Sequence, residues 1–277
     1  MTERRNFIKV AALGITGVSF PGALSAHTFQ DVASNDKLKL GVASYTLRKF
    51  TTEQAIDMTL RCGVKRITFK SMHLPLEADE ATIQKTVALC RQKGMELYGC
   101  GVVTMKTRQD VDQAFRYARA AGMEMIIGVP YPEVLGYVNE KVQEYNIRLA
   151  IHNHGPGDDL YPSAESAYLR IKTLDKRMGL CIDIGHTKRI NRDPEKDLID
   201  YFDRVFDIHI KDVTAPSPDG DTCIIGRGVI DTVSFLRTVK KLNYQGTLAL
   251  EYEAEENDPL PGMMESFGFV KGVWATL

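Results

Sequence analysis

The sequence predicts an α/β chain folded as a (β/α)8 TIM barrel. Short apolar runs of β type alternate with longer segments of helical period, and the alternation occurs eight times over about 240 residues. Four runs in the second half each finish on a side chain able to hold a metal: RLAIH, GLCID, VFDIH and TLALE, ending at His152, Asp183, His209 and Glu251. A strand buried on both faces has this near-continuous apolar character, broken only where its last side chain leaves the core.

Taken in order, the predicted strands cover residues 40–44, 66–70, 97–103, 125–129, 148–152, 179–183, 205–209 and 247–251. The predicted amphipathic helices cover residues 53–62, 78–93, 108–121, 132–145, 163–175, 194–202, 231–242 and 259–272. Cys62-Gly63, Lys93-Gly94 and Ala121-Gly122 each close a helix with a glycine, where a left-handed cap costs little. An open parallel sheet also alternates in this way. The first strand, however, runs into Ala43-Ser44-Tyr45-Thr46-Leu47 rather than a G-x-G-x-x-G turn, and no G-x-x-x-x-G-K occurs, so no nucleotide cofactor is expected.

The chain has 277 residues, 44% hydrophobic and 26% charged, which suits one globular domain over residues 37–277. A net charge of -1 offers no basic field, so no nucleic-acid partner is expected. Five cysteines without paired spacing indicate neither a disulfide framework nor a zinc ribbon. The opening residues differ in character. Arg4-Arg5-Asn6-Phe7-Ile8-Lys9, a weakly apolar stretch over residues 10–20 and the small residues up to Ala26 resemble a twin-arginine export signal. That resemblance implies a signal at residues 1–26, a linker at 27–36 and a periplasmic or envelope location. The apolar stretch is too short to span a membrane.

Functional groups of a barrel gather at the C-terminal ends of its strands. Apart from His27, every histidine falls at or just beyond a predicted strand end: His73, His152, His154, His186 and His209. Two imidazoles with the hard oxygens of Asp183 and Glu251 suit Mn, Zn, Co or Fe better than Ca, with Mg less natural. His154 shares the alternation parity of His152, and His152 is preferred because it directly ends the apolar run. Lys70 and Lys211 end the second and seventh strands, where an ammonium can stabilise an enolate or move a proton. The bland alternatives are a pair between Lys211 and Asp212 and a solvated Lys70. Glu253, Glu255 and Glu256 read as an acidic solvated loop.

Ile151-His152-Asn153-His154, Asp183-Ile184-Gly185-His186, His209-Ile210-Lys211-Asp212, Gly226-Arg227-Gly228-Val229-Ile230-Asp231 and Leu250-Glu251-Tyr252 together resemble the sugar phosphate isomerase/epimerase group of xylose-isomerase-like barrels. The resemblance implies one divalent cation held by Glu, Asp, His and Glu, and acid-base carboxylates on either side of a sugar. Asp183, His209 and Glu251 match the second, third and fourth ligands, and His152 stands where the first glutamate is expected.

The expected activity is therefore a metal-dependent isomerase or epimerase of a sugar or keto-sugar, drawing a proton from the carbon next to a carbonyl through an enediolate the cation stabilises. Glu251 is the expected base, and His152, His186, Lys211 and Lys70 are the further catalytic candidates. His73, His154, His186 and Arg227 are candidate substrate contacts. Because His152 and Lys70 replace expected acids, a keto-sugar dehydratase or lyase, or an inactive carbohydrate-binding barrel, stands as the alternative. The related apurinic endonucleases need more metal ligands than this rim offers. The oligomeric state is left open, a homodimer among the options.

Overall fold

A computed structural model of the chain describes residues 38–277. The predicted export signal and linker, residues 1–36, lie outside the described residues. Within them the first half of the barrel is built from β1 (Leu40–Ala43), α1 (Thr52–Arg61), β2 (Arg66–Phe69), α2 (Glu80–Gln92), β3 (Glu96–Met105), α3 (Arg108–Ala120), β4 (Met125–Pro130) and α4 (Leu135–Tyr145). The second half continues with β5 (Arg148–His152), α5 (Ala164–Ile171), β6 (Met178–Asp183), α6 (Ile184–Arg189), α7 (Pro194–Asp200) and β7 (Val205–Ile210). A small hairpin follows, β8 (Asp212–Val213) with β9 (Thr222–Cys223), then α8 (Thr232–Lys241), β10 (Thr247–Leu250) and α9 (Leu260–Thr276).

Eight parallel strands close the barrel in the order β1, β10, β7, β6, β5, β4, β3, β2, as the alternation predicts. Local chemistry sets the helix ends. Thr51, Asp79, Thr107, Ser163 and Asp231 each accept a backbone N–H of the helix they open, filling donors that no intrahelical bond reaches. Gly63 and Gly94 take the positive φ, 66° and 72°, that lets the chain turn from a helix toward the next strand. Between strands and helices lies one continuous apolar core that includes Phe69, Phe115, Val138, Ile171, Leu236 and Phe267. Inside the barrel sits a smaller cluster of Tyr98, Met125, Ile127, Ala150 and Cys181.

The sequence reading missed the β8–β9 hairpin, which springs from the C-terminal end of β7. Asp212 holds this loop rather than pairing with Lys211, because its carboxylate accepts the backbone N–H of Val213, Gly226, Gly228 and Ile230. No described residue forms a disulfide, and Cys62, Cys90, Cys100 and Cys181 are buried. Among the described residues no helix is long and apolar enough to cross a membrane.

Candidate metal centre

Register brings the polar strand ends of the second half together. Asp183 on β6 is the lateral partner of His209 on β7, and His209 is that of Ala249 on β10, two residues before Glu251. Side chains two apart on a strand share a face, so His152, Asp183, His209 and Glu251 all turn into the barrel mouth. They are 1%, 0%, 1% and 6% exposed, and one ligand atom from each lies within 4.8 Å of all the others.

The contacts show which atoms converge. His152 Nε2 is 3.0 Å from His209 Nδ1 and 3.6 Å from Asp183 Oδ2, and His209 Nδ1 is 3.3 Å from Glu251 Oε2. Asp183 divides its work between its two oxygens. Oδ1 accepts the His186 backbone N–H at 2.8 Å as the cap of α6, while Oδ2 is buried without a hydrogen-bond partner. Asn153 braces the same residue, accepting the Asp183 N–H at 3.0 Å and donating to its carbonyl at 3.3 Å.

Lys211 enters this cluster from β7. Its Nζ lies 3.2 Å from Asp183 Oδ2 and 3.1 Å from Glu251 Oε2, and it also donates to Glu253. Gly185 makes room for the lysine stem, since a Cβ there would stand 2.6 Å from Lys211 Cδ and 2.8 Å from Cγ. Burial alone would raise both carboxyls, but Lys211 with the neighbouring imidazoles holds Asp183 and Glu251 well below the usual carboxylate range. Burial would likewise lower Lys211, and Asp183, Glu251 and Glu253 together hold it well above its ordinary value. Burial pushes His152 down to about 3, leaving it neutral. His209 shifts up despite burial because Glu251, Asp207 and Asp183 favour positive charge on its ring. The field that favours a proton there favours a cation in its place.

The residues fit a divalent cation on their own chemistry. Two imidazole nitrogens and two carboxylate oxygens converge, and Asp183 Oδ2 faces the His152 ring and the Lys211 ammonium. Three carboxylates against the Lys211 ammonium leave two net negative charges, which a dication neutralises.

The remaining predicted residues lie at differing distances from this centre. His186 is half-buried, its ring centroid 6.0 Å from that of His152, and burial lowers its basicity. Lys70, half-buried at the end of β2, donates to the Val102 carbonyl at 3.0 Å and lies 5.6 Å from the Tyr45 ring centroid. Burial lowers its pKa, and Glu251 and Glu253 oppose that shift. His154 pairs with Asp158 at 3.2 Å, although its ring lies 4.5 Å from that of His152. His73 is buried with its nitrogens on Ser44 Oγ and the Leu47 carbonyl, which ties it to the loop after β1. Arg227 is exposed and paired with Glu265 on α9.

One expectation is corrected. Glu253 is not a solvated loop acid but a half-buried partner of Lys211, and Glu256 pairs with Arg48. The alternation that selects Glu251 also selects Glu253, two residues on, and selects Asp207, two residues before His209. Asp207 is completely buried, and burial pushes its carboxyl up to about 7.

Residues 51–272 match the profile of the xylose isomerase-like TIM barrel family. The chain is 25% identical over 249 residues to a Haemophilus influenzae protein provisionally named an L-ribulose-5-phosphate 3-epimerase, covering 88% of this chain and 69% of that one. It is also 25% identical over 146 residues to the rhizopine catabolism protein MocC of Rhizobium meliloti, a match spanning 47% of this chain and 44% of the relative's length. Among solved structures, the apo form of an Escherichia coli 3-keto-D-glucoside 4-epimerase superposes with a TM-score of 0.69, covering 85% of this chain and all of that one. At 12% identity that likeness shows the fold alone.

Proposed function

We propose that this chain, which belongs to the xylose isomerase-like TIM barrel family, is a metal-dependent epimerase or isomerase of a sugar or keto-sugar. The observation that carries the reading is the convergence of His152, Asp183, His209 and Glu251 on one point of the barrel mouth, with Lys211 against both acids. The relative named for 3-epimerisation of a ketose supports the reaction class.

His152, Asp183, His209 and Glu251 would hold the ion. A bound divalent cation supplies Lewis-acid polarisation of a carbonyl and its neighbouring hydroxyl. Glu251 is the base that takes the proton from the carbon between them; the C–H electron pair becomes the C=C bond and the carbonyl π pair moves onto oxygen. Lys211 keeps Glu251 ionised beforehand, and Glu253 gives the ammonium a second counter-ion at the moment Glu251 becomes neutral. Because Lys211 touches Glu251, the two cannot flank opposite faces of a substrate. Lys70 ends β2, two strands around the closed barrel from β10, and is our choice of proton donor. His186, beside His152 in the mouth, is a substrate contact.

We take the substrate to be an unphosphorylated sugar or an oxidised glycoside, because the paired arginines and small-residue segment of residues 1–26 resemble an export signal. Fractionation finding a full-length, unprocessed chain in the cytoplasm would overturn the periplasmic assignment.

Incubation with candidate ketoses in deuterated water, with and without Mn or Co, tests the chemistry. Metal-dependent deuterium uptake at the carbon next to the carbonyl is expected. No exchange with any metal, alongside unchanged bound sugar, would make the protein a binding barrel. A second reading, loss of a β leaving group from the same enediolate, is favoured by His152 standing where a carboxylate is expected. Product mass distinguishes them, since elimination of water removes mass and epimerisation does not.

A further inference from the structure

One layer beneath the cluster, inside the barrel, Asp207 sits on β7 two residues before His209 and on the same face. It is 0% exposed, and no lysine or arginine among the described residues forms an ion pair with it. The Tyr98 hydroxyl on β3 approaches its two carboxylate oxygens at 3.2 and 3.4 Å, and the Cys181 thiol stands 3.9 Å from Oδ2. An acid buried this deeply is costly unless its charge is used.

His209 supplies the use. Its ring turns Nδ1 toward the ligand cluster, 3.0 Å from His152 Nε2 and 3.3 Å from Glu251 Oε2. The other nitrogen, Nε2, is buried without a hydrogen-bond partner and faces Asp207 Oδ2 at 4.0 Å. That gap is longer than a hydrogen bond. Closing it would satisfy an orphaned donor and an under-partnered carboxylate together. Tyr98, 2% exposed and stacked under the Arg66 guanidinium at 4.5 Å, holds the carboxylate through its hydroxyl.

We infer that Asp207 is a positioning residue that accepts the Nε2–H of His209, fixing the tautomer that offers the Nδ1 lone pair to the cation, with Tyr98 holding Asp207 in place. This rests on reading the four-residue cluster as a cation site. A ligating imidazole held in this way by a carboxylate typically loses about 10–100-fold in metal affinity when the carboxylate is removed.

The test is calorimetric titration of the metal-stripped full chain with Mn(II), beside thermal melts of the same metal-free proteins. Asp207→Leu is expected to lower Mn(II) affinity by about 10–100-fold while the metal-free melting temperature stays level or rises, since an apolar side chain replaces a buried acid. A purely structural role for Asp207 predicts the reverse, a lower melting temperature with unchanged affinity. If the leucine variant does not fold, the isosteric Asp207→Asn carries the test, with a loss of about tenfold expected because an amide can present its N–H to the ring and invert the tautomer. Affinity within about twofold of wild type in either folded variant overturns the role of Asp207. Wild-type protein that binds no Mn(II), Co(II) or Zn(II) overturns the cation-site reading and this role with it.

Discussion

Strands β1 to β4 end on Ala43, Phe69, Met105 and Pro130, whereas β5, β6, β7 and β10 end on or beside His152, Asp183, His209 and Glu251. The backbone is the same parallel barrel throughout, and both halves bury their strands almost completely. In the first half two charged residues directly follow a barrel strand, Lys70 after β2, which is half-buried, and Lys106 after β3, which is exposed. The second half gathers acids, imidazoles and Lys211 into a volume that excludes water, where each charge depends on the others. A buried charge that loses its partner costs far more than an exposed one. The contrast shows that a barrel half can be rebuilt for chemistry without altering its framework, provided the charges arrive as a balanced set.

The largest effect expected from breaking that contrast is on turnover. Glu251→Gln keeps a side chain of the same shape but removes the base, so deuterium exchange should fall by about 10^2–10^4-fold while the far-ultraviolet circular dichroism of the barrel is unchanged. Normal exchange by this variant with metal bound would reassign the base.

Stability comes next. Lys211→Met leaves Asp183 and Glu251 facing each other without their ammonium, a loss of about 3–5 kcal/mol in denaturant titration of the metal-free protein. The pH dependence has a definite sign. Both carboxyls are held below their ordinary values, so their contribution is present above the unfolded carboxyl range and is lost as pH falls. Without Lys211 their pKa values move up, and acid unfolding should begin at a higher pH than in wild type. An unchanged acid midpoint would show that Lys211 does not set them.

Lys70→Met removes the first half's contribution to the mouth. We expect exchange to fall by about 10^2-fold with Mn(II) affinity unaltered, since Lys70 donates to the Val102 carbonyl and has no close ion pair with the four ligand residues. A parallel loss of metal affinity would place Lys70 among the groups that build the site. The smallest effect belongs to Arg227→Ala, which removes an exposed pair with Glu265 on α9 and should change stability by less than about 0.5 kcal/mol. A strong rise in KM for this variant would show that Arg227 leaves Glu265 to meet substrate.

The polar strand ends were legible because each is a local break in an apolar run, and a break needs no knowledge of the rest of the chain. The glycines that close helices were legible for the same reason, since a helix end is settled by the few residues around it. Glu253 was not. Its spacing placed it on the face of Glu251, but its neighbours in sequence made it look like one acid among several in a loop. Asp207 was hidden inside the run VFDIH, where one polar residue among apolar ones resembles a tolerated exception. His73 shows the converse, a strand-end histidine whose nitrogens go to Ser44 and the Leu47 carbonyl.

By itself the sequence determined the number of barrel strands, their alternation with helices and the residue types delivered to the rim, because hydrophobic period and capping act over a few residues. Only closure of the barrel decided which of those residues meet. His152 reaches His209 across 57 residues of chain, and Lys211 reaches Glu251 across 40. The register between strands, the space left by Gly185 and the burial that surrounds Asp207 are properties of the packed molecule, since each arises from groups that no local pattern relates.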